Sequence, residues 1–301
     1  MRITESRLRQ IIREELTAGE FNVPGKHIFD NAKVADGDGA RVYEDAVVSM
    51  NARVLDAAQV YGKAMVFGDA KVSFAARVSG DAKVYGSAQV TNSATVSGNV
   101  KVYDNAKVSG GALVQGSVEV SDNAEVSGDA RVSDSVQVSG NARVFGRSQV
   151  SGNAKVFGDA KVQSQAQVSG DAEVYGNADL SGVARVSGNA KVFGKAMVSA
   201  YAKVLDNAKV YENAEVTTSE SVSGNAQVFG KAQVTARAKV SGNAKVSGNV
   251  YLYGEADVSG DAEVSGRASI GGTAVILGGK WDGSEGRTII SGKWKGPGVP
   301  A

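Results

Sequence analysis

An aliphatic residue stands at every sixth position from Val42 to Ile276, forty times in succession without an insertion or deletion. Thirty-six of the forty are valine, and the residue two positions before the aliphatic is alanine in thirty-four of the forty cases. The unit at 244–249, for example, reads Ala-Lys-Val-Ser-Gly-Asn. A fixed short period of this kind is typical of a solenoid, in which each repeat stacks on its neighbours.

The spacing within one hexad predicts a short strand followed by a corner. Alanine and valine lie two positions apart, so both point to the same side of an extended segment, while the residues beside valine point outward. The Gly-Asn or Gly-Asp that follows tolerates the positive φ of a tight corner. Three such hexads close one triangular coil, so the coil repeats every 18 positions. Forty hexads then make about 13 coils, a prism about 60 Å long at the usual strand spacing.

The sequence therefore predicts an all-β fold, a single-stranded parallel β-helix of 13–14 coils with a short N-terminal helix and a C-terminal cap. Glu220 stands at an alanine position, which predicts a local distortion over 217–221. We divide the chain into an amphipathic N-terminal helix or leader at 1–16, a linker and lead-in or cap at 17–41, the hexapeptide β-helix at 42–278, and a C-terminal cap or tail at 279–301.

Composition narrows the classes of function. The charge is balanced, 33 Lys and Arg against 32 Asp and Glu, so we expect no nucleic-acid partner. The chain has no cysteine, which excludes thiolate metal sites. No apolar run approaches the roughly 18–20 residues that span a bilayer, so we expect a soluble protein without a membrane partner. No cofactor is predicted.

The repeat resembles that of a known superfamily. The hexad at 78–83, Val-Ser-Gly-Asp-Ala-Lys, matches the hexapeptide repeat of the left-handed β-helix superfamily, which includes trimeric acyltransferases. The resemblance implies a left-handed coil and makes a trimer the first expectation for a homo-oligomer. The residues that make up the repeat are most similar to those of uncharacterised bacterial and tailed-phage hexapeptide-repeat proteins.

The N-terminal segment carries a second, shorter resemblance. Residues 3–16 are similar to the leaders of proteins from marine tailed phages. This likeness implies a virion component with other virion proteins as partners, and the localisation expected is a virion or the bacterial cytoplasm. Residues 1–16 could instead dock on the prism as a cap or bind a partner. A third alternative is a leader removed by cleavage after Glu14.

The resemblance also raises the possibility of an enzyme. Acyltransferases of the superfamily use a histidine as general base, and related carbonic anhydrases bind a metal through three histidines. The one histidine here, His27, precedes the repeat, and no loop leaves the repeat between 42 and 276 to build an acceptor groove. We therefore predict no catalytic or metal-ligating residue, and a hexapeptide-repeat acyltransferase is the disfavoured alternative.

A short acidic segment offers one candidate metal site. The residues Asp36, Asp38, Glu44 and Asp45 supply oxygen ligands of the kind that calcium prefers. Their spacing does not match the twelve-residue calcium-binding loop, however. A turn insertion, which adds two residues between Val34 and Val42, is the favoured interpretation.

Aromatic residues concentrate on one face of the predicted prism. Sorting the residue after each buried aliphatic by its position modulo 18 places an aromatic at eight of thirteen positions on this face. The other two faces have four in twenty-seven. We call these eight residues the aromatic stripe: Phe67, Tyr85, Tyr103, Phe157, Tyr175, Phe193, Tyr211 and Phe229.

Three interpretations of the aromatic stripe remain open. The rings could stabilise an exposed sheet by cross-strand stacking. They could form a subunit interface, because extended apolar patches rarely stay in water. They could also provide a platform for the flat rings of a glycan. The function predicted from the sequence is thus a non-enzymatic structural or adhesive solenoid, with a glycan-binding module as an alternative.

Overall fold

The computed structural model describes residues 27–34, 39–219, 221–282, 288–296 and 299–300. All regular structure in this part is β-strand, arranged as three sheets of 15, 15 and 16 strands that form a solenoid of about 14 turns. The predicted all-β solenoid with three walls is confirmed. The helix predicted at 1–16 and the possible cleavage after Glu14 lie outside the described residues.

Each hexad contributes one strand that ends, in most cases, on its buried aliphatic residue. Sheet A contains β1 (His27–Ile28), β4 (Val47–Val48), β7 (Met65–Val66), β10 (Lys83–Val84), β13 (Lys101–Val102), β16 (Glu119–Val120), β19 (Gln137–Val138), β22 (Lys155–Val156), β25 (Glu173–Val174), β28 (Lys191–Val192), β31 (Lys209–Val210), β34 (Gln227–Val228), β37 (Lys245–Val246), β40 (Glu263–Val264) and β43 (Lys280–Trp281). Sheet B contains β2 (Lys33–Val34), β5 (Arg53–Val54), β8 (Lys71–Val72), β11 (Gln89–Val90), β14 (Lys107–Val108), β17 (Glu125–Val126), β20 (Arg143–Val144), β23 (Lys161–Val162), β26 (Asp179–Leu180), β29 (Met197–Val198), β32 (Glu215–Thr218), β35 (Gln233–Ala236), β38 (Tyr251–Leu252), β41 (Ser269–Ile270) and β44 (Thr288–Ile289). Sheet C contains β3 (Arg41–Val42), β6 (Gln59–Val60), β9 (Arg77–Val78), β12 (Thr95–Gly98), β15 (Leu113–Gly116), β18 (Arg131–Val132), β21 (Gln149–Val150), β24 (Gln167–Val168), β27 (Arg185–Val186), β30 (Lys203–Val204), β33 (Ser221–Val222), β36 (Lys239–Val240), β39 (Asp257–Val258), β42 (Val275–Ile276), β45 (Lys293–Gly296) and β46 (Val299–Pro300).

Parallel pairing joins each strand to the strand three places further along the chain. In sheet A, Val84 of β10 pairs with Val102 of β13, which stands 18 positions later. The same register recurs in all three sheets, so residues one coil apart in the chain stack directly above one another. We call the outward surfaces of the sheets face A, face B and face C.

The interior consists of stacked aliphatic side chains. Nearly all valines and alanines of the repeat are fully buried, including Val126 and Ala130. Burying one valine contributes about 1.5–3 kcal/mol, and every coil contributes three such residues. Alanine occupies the positions next to the corners, where the walls converge and space is short.

Ser148 interrupts this interior. It stands at an alanine position, is fully buried, and its Oγ has no hydrogen-bond partner within the described part of the chain. An unsatisfied buried hydroxyl costs about 1–3 kcal/mol. Ser148→Ala is therefore expected to stabilise the protein by about 1 kcal/mol, measured by chemical denaturation. The outward Ser151→Ala should change the free energy of unfolding little, and equal effects of both substitutions would contradict this account.

The corner residue follows the buried aliphatic by two positions and has a positive φ. From Glu44 to Gly272 every described corner residue has a positive φ except Thr218. Most are glycine, because a β-carbon here approaches the backbone of the next coil. At Gly140, with φ 71°, it would lie 2.9 Å from the nitrogen of Gly158.

Carboxylates occupy several of the remaining corners and bind the next coil. The side chain accepts a hydrogen bond from the backbone N–H of the corner residue 18 positions later, and so satisfies a backbone donor at the corner. The pairs are Glu44–Gly62, Asp56–Phe74, Asp122–Gly140, Asp134–Gly152, Asp206–Gly224 and Glu212–Gly230, at 2.8–3.0 Å.

The corner at Thr218 differs from the others, in the segment where the hexad pattern breaks. Strand β32 continues through Thr218, whose side chain is fully buried. Its Oγ1 lies 3.0 Å from the carbonyl oxygens of both Ala236 and Ala238. Glu220, the residue that predicted this distortion, lies outside the described residues.

Both ends of the described solenoid depart from the regular period. At the start, Ile28 pairs with Val48, which stands 20 positions later instead of 18, and this longer coil absorbs the insertion before Val42. At the other end, Trp281, Ile289 and Trp294 take the places of the buried aliphatics in the three sheets and pack against the core.

The last coil also closes one edge of sheet C. Strand β46 runs antiparallel to β45, in contrast to all the other pairings of the described strands. The rings of Trp281 and Trp294 meet edge to face at a centroid distance of 6.2 Å and cover the end of the valine columns. A covered edge has fewer unpaired backbone groups to offer another chain. No helix in the described ranges is long and apolar enough to cross a membrane.

Candidate functional site

The eight residues of the aromatic stripe all lie on face A, as the period of the coil predicts. Each directly follows the buried residue of a sheet A strand, so its side chain points away from the core. Ser121 and Ser139 occupy two successive coils between Tyr103 and Phe157. The structure therefore places the stripe as two separate stacks, a three-ring stack at 67–103 and a five-ring stack at 157–229.

Within each stack the rings lie face to face. Neighbouring centroids are 4.7–5.1 Å apart and the ring planes are within 4° of parallel. The spacing equals the distance between coils, because the strands that carry the rings are hydrogen-bonded neighbours. Each inner ring has both faces covered by its neighbours and presents its edge to solvent. Face-to-face cover by neighbouring rings reduces the exposure of the inner rings, which are half-buried although they lie on the surface.

Burial has an electrostatic consequence for the tyrosines of the five-ring stack. Loss of solvent raises the pKa of Tyr175 and the pKa of Tyr211 above 10.0. The hydroxyl of Tyr211 donates to Oε1 of Gln227 at 3.2 Å. Burial in the stack therefore favours the neutral form of both phenols.

Beside the aromatic stripe runs a column of lysines and glutamates, the residues that precede the buried valines of sheet A. Four ion pairs join successive coils along face A: Lys101 with Glu119, Lys191 with Glu173, Lys245 with Glu263 and Lys280 with Glu263, at 2.9, 2.8, 3.1 and 3.5 Å. The hydrogen bond from Lys245 lowers the pKa of Glu263, and the bond to Glu173 raises the pKa of Lys191. Each glutamate of the column thus offsets the charge of a neighbouring lysine.

Amide ladders on two corners were not foreseen from the sequence. At each step an asparagine Nδ2 donates to Oδ1 of the residue 18 positions later, and the run ends on an aspartate that can only accept. One ladder runs from Asn105 through Asn123 and Asn141 to Asp159, and another from Asn189 through Asn207, Asn225 and Asn243 to Asp261. The sequence signal was the recurrence of asparagine at the spacing of one coil. The amide groups of these ladders are engaged in joining one coil to the next.

The other candidate residues are not brought together as a site. His27 begins strand β1, at the N-terminal end of the described chain. Asp36 and Asp38 lie outside the described residues, and Glu44 uses its carboxylate to accept the N–H of Gly62 at 2.8 Å. Among the residues that the structure describes, no three His, Cys, Asp or Glu side chains cluster in a way that could hold a metal ion.

Comparison with known proteins identifies the type of repeat. Two overlapping stretches, residues 124–140 and 136–152, match the profile of a family described as the YdcK Beta solenoid repeat. No curated protein sequence is significantly similar to this chain. A solved structure described as a "putative acetyltransferase from Desulfovibrio desulfuricans G20" aligns with 94% of this chain and 70% of its own, at 13% identity and a TM-score of 0.29. The matched repeats and the three-sheet architecture together show a hexapeptide-like β-solenoid.

Proposed function

We propose that this chain is a non-enzymatic structural rod. The observation that carries the proposal is the unbroken register: from β4 to β42 the buried aliphatics of each sheet recur once per coil, every 18 positions, so the described outward residues form flat faces. A groove for an acyl acceptor needs a wall that rises from such a face. Continuous pairing along the coils instead gives a stiff prism about 65 Å long.

The geometry of the aromatic stripe supports its role as a stiffening element. Sugar rings bind to aromatic residues through the ring face, and inside the five-ring stack these faces are covered by other rings of the stripe. Each stacked pair contributes roughly 0.2–1 kcal/mol across neighbouring strands. The alternatives are self-association through the stripe, with a trimer as the first expectation, and contact with a glycan.

In a more specific form of this proposal, the chain is a structural component of a phage virion. Two resemblances support this form of the proposal. Residues 3–16 are similar to tailed-phage leaders, and the residues of the hexads are similar to those of tailed-phage repeat proteins. A stiff rod with short polar corners suits a spacer in an assembled particle. The bacterial cytoplasm is the alternative localisation.

The proposal predicts no acyl transfer. Full-length protein incubated with acetyl-CoA and a panel of amine and hydroxyl acceptors is expected to release no free thiol above the rate without protein. Small-angle X-ray scattering of the same sample should show an elongated particle, with a maximum dimension of at least about 65 Å. Thiol release that His27→Ala abolishes would contradict the proposal, because that histidine would then act as a general base.

A further inference from the structure

Face C differs from the other two faces in its charge. From 41 to 241, six exposed cations precede the buried residue of a sheet C strand. Five of them form what we call the basic row: Arg41, Arg77, Arg131, Arg185 and Lys203; the sixth, Lys239, lies two coils beyond. No ion pair of the described residues involves any of the five. The outward positions of sheet C carry no Asp or Glu from 41 to 241. On face A, by contrast, four of the lysines pair with glutamates, and on face B Arg143 pairs with Glu125.

The residues beside the basic row are mostly hydroxyls. The outward residue after each buried valine of sheet C is serine in the majority of coils, at 79, 97, 133, 151, 169 and 187. Serine donates and accepts hydrogen bonds without adding charge. Face C therefore combines a line of cations with a parallel line of small hydrogen-bonding groups.

Carboxylates border this strip on both sides. On the corner that follows face C, Asp134 and Asp206 accept backbone N–H groups of the next coil, and Asp56 does so on the corner that precedes it. A broad anionic surface such as a membrane would press against these carboxylates as well as against the cations. A thin chain can lie between them, in contact with the cations alone.

The spacing of the basic row suits a polyanion of low charge density. Its five members are separated in turn by two, three, three and one coils, or about 10, 14, 14 and 5 Å along the axis. Duplex DNA carries a charge about every 1.7 Å, far denser than this row. Single-stranded nucleic acid is bound on rows of aromatic residues on which successive bases stack. The outward positions of sheet C carry one stacked pair, Tyr43 with Tyr61 beside Arg41, and no aromatic residue from 77 to 205, where four of the five cations lie.

From these observations we propose that face C binds a linear anionic polysaccharide, with its carboxylate or sulfate groups on the basic row and its hydroxyls beside the serines. The rod length of nine coils from Arg41 to Lys203, about 43 Å, lets one extended chain reach all five cations. Several weak charge contacts made by one polymer together give a measurable affinity, and this affinity should fall as the salt concentration rises.

The test compares two triple variants of the full chain that remove the same charge. Arg77→Gln with Arg131→Gln and Arg185→Gln neutralises the basic row, whereas Lys83→Gln with Lys155→Gln and Lys209→Gln neutralises three lysines of face A. The probes are polygalacturonate for carboxylates, heparin for sulfates, and dextran as the neutral control. Binding is measured by affinity electrophoresis and isothermal titration at two salt concentrations.

We expect unmodified protein to bind at least one of the two polyanions and not dextran, and the binding to weaken with salt. The face C variant should lose at least about tenfold in affinity, because three charge contacts that act together on one polymer are removed, and the face A variant should stay within about twofold. Binding of neither polyanion, or equal losses in both variants, would overturn the proposal. So would tighter binding to duplex DNA or to phosphatidylserine vesicles. Unchanged thermal unfolding in both variants verifies that they are folded.

Discussion

Val126→Asp is expected to destabilise the solenoid by more than about 4 kcal/mol, the largest effect of any change considered. Val126 is fully buried in β17 and pairs with Val108 below and Val144 above. An ionised carboxylate there would have only aliphatic neighbours, and neither solvent nor a cation could stabilise it. The cost is comparable to the whole stability of many domains.

The matched control is Ser127→Asp, which adds the same carboxylate one residue away. Ser127 follows Val126 directly and points outward on face B, where it is half-buried. This substitution should change the free energy of unfolding by less than about 1 kcal/mol. Chemical denaturation followed by circular dichroism measures both variants. If the two aspartates had similar effects, the inward and outward assignment of the entire repeat would be wrong.

Limited proteolysis of the Val126→Asp protein should reveal where the damage lies. Coils of a solenoid contact only their immediate neighbours, so disruption begins at the altered coil and spreads from there. We expect the first cleavages near residue 126, while the Ser127→Asp protein resists under the same conditions. Uniform cleavage along the chain would instead indicate all-or-none unfolding.

Tyr175→Ser combined with Phe193→Ser is expected to cost about 1–3 kcal/mol without changing the oligomeric mass. The pair removes three of the four ring contacts in the five-ring stack: 157 with 175, 175 with 193, and 193 with 211. Each contact contributes roughly 0.2–1 kcal/mol, and the removed rings also lose buried apolar area. Thermal denaturation measures the loss, and light scattering measures the mass.

Tyr201→Ser provides the control for this prediction. Tyr201 is 65% exposed on a corner, outside the aromatic stripe, so its removal should leave stability nearly unchanged. A lower mass for the double variant would show that the stripe is a subunit interface. Unchanged stability and mass with lost retention on a glycan column would show a glycan platform. Either result would replace the stiffening role.

The six-residue period alone was sufficient to predict the architecture of the central coils. Because side chains alternate along a strand and each coil consists of three hexads, the positions of valine and alanine predict which residues are buried and which share a face. The prediction that the stripe residues share face A rests on the same arithmetic. The basic row of face C was not predicted, because the expectation about charged partners rested on the balanced total of the chain and not on how the charges divide among the faces.

At the C-terminal end of the solenoid the 18-residue period no longer predicts which residues pair. Val264 pairs with Trp281 in sheet A, one position short of the regular coil, and Ile270 pairs with Ile289 in sheet B, one position beyond it. The hexad count stops at Ile276, although the fold continues. A corner can gain or lose a residue as long as the next inward side chain returns to its column.

The hexad pattern by itself determined the three walls, the inward columns and the membership of each face, because these follow from local strand geometry repeated at a constant period. Tertiary structure alone decided the ring orientation in the stacks, which lysine and glutamate side chains meet, and which backbone groups the corner carboxylates bind. All of these depend on side-chain contacts between neighbouring coils, where rotamer and partner are chosen among residues that lie a full coil apart in the chain. The 18-residue spacing limits the candidate partners, but it does not determine which rotamer brings two of them into contact.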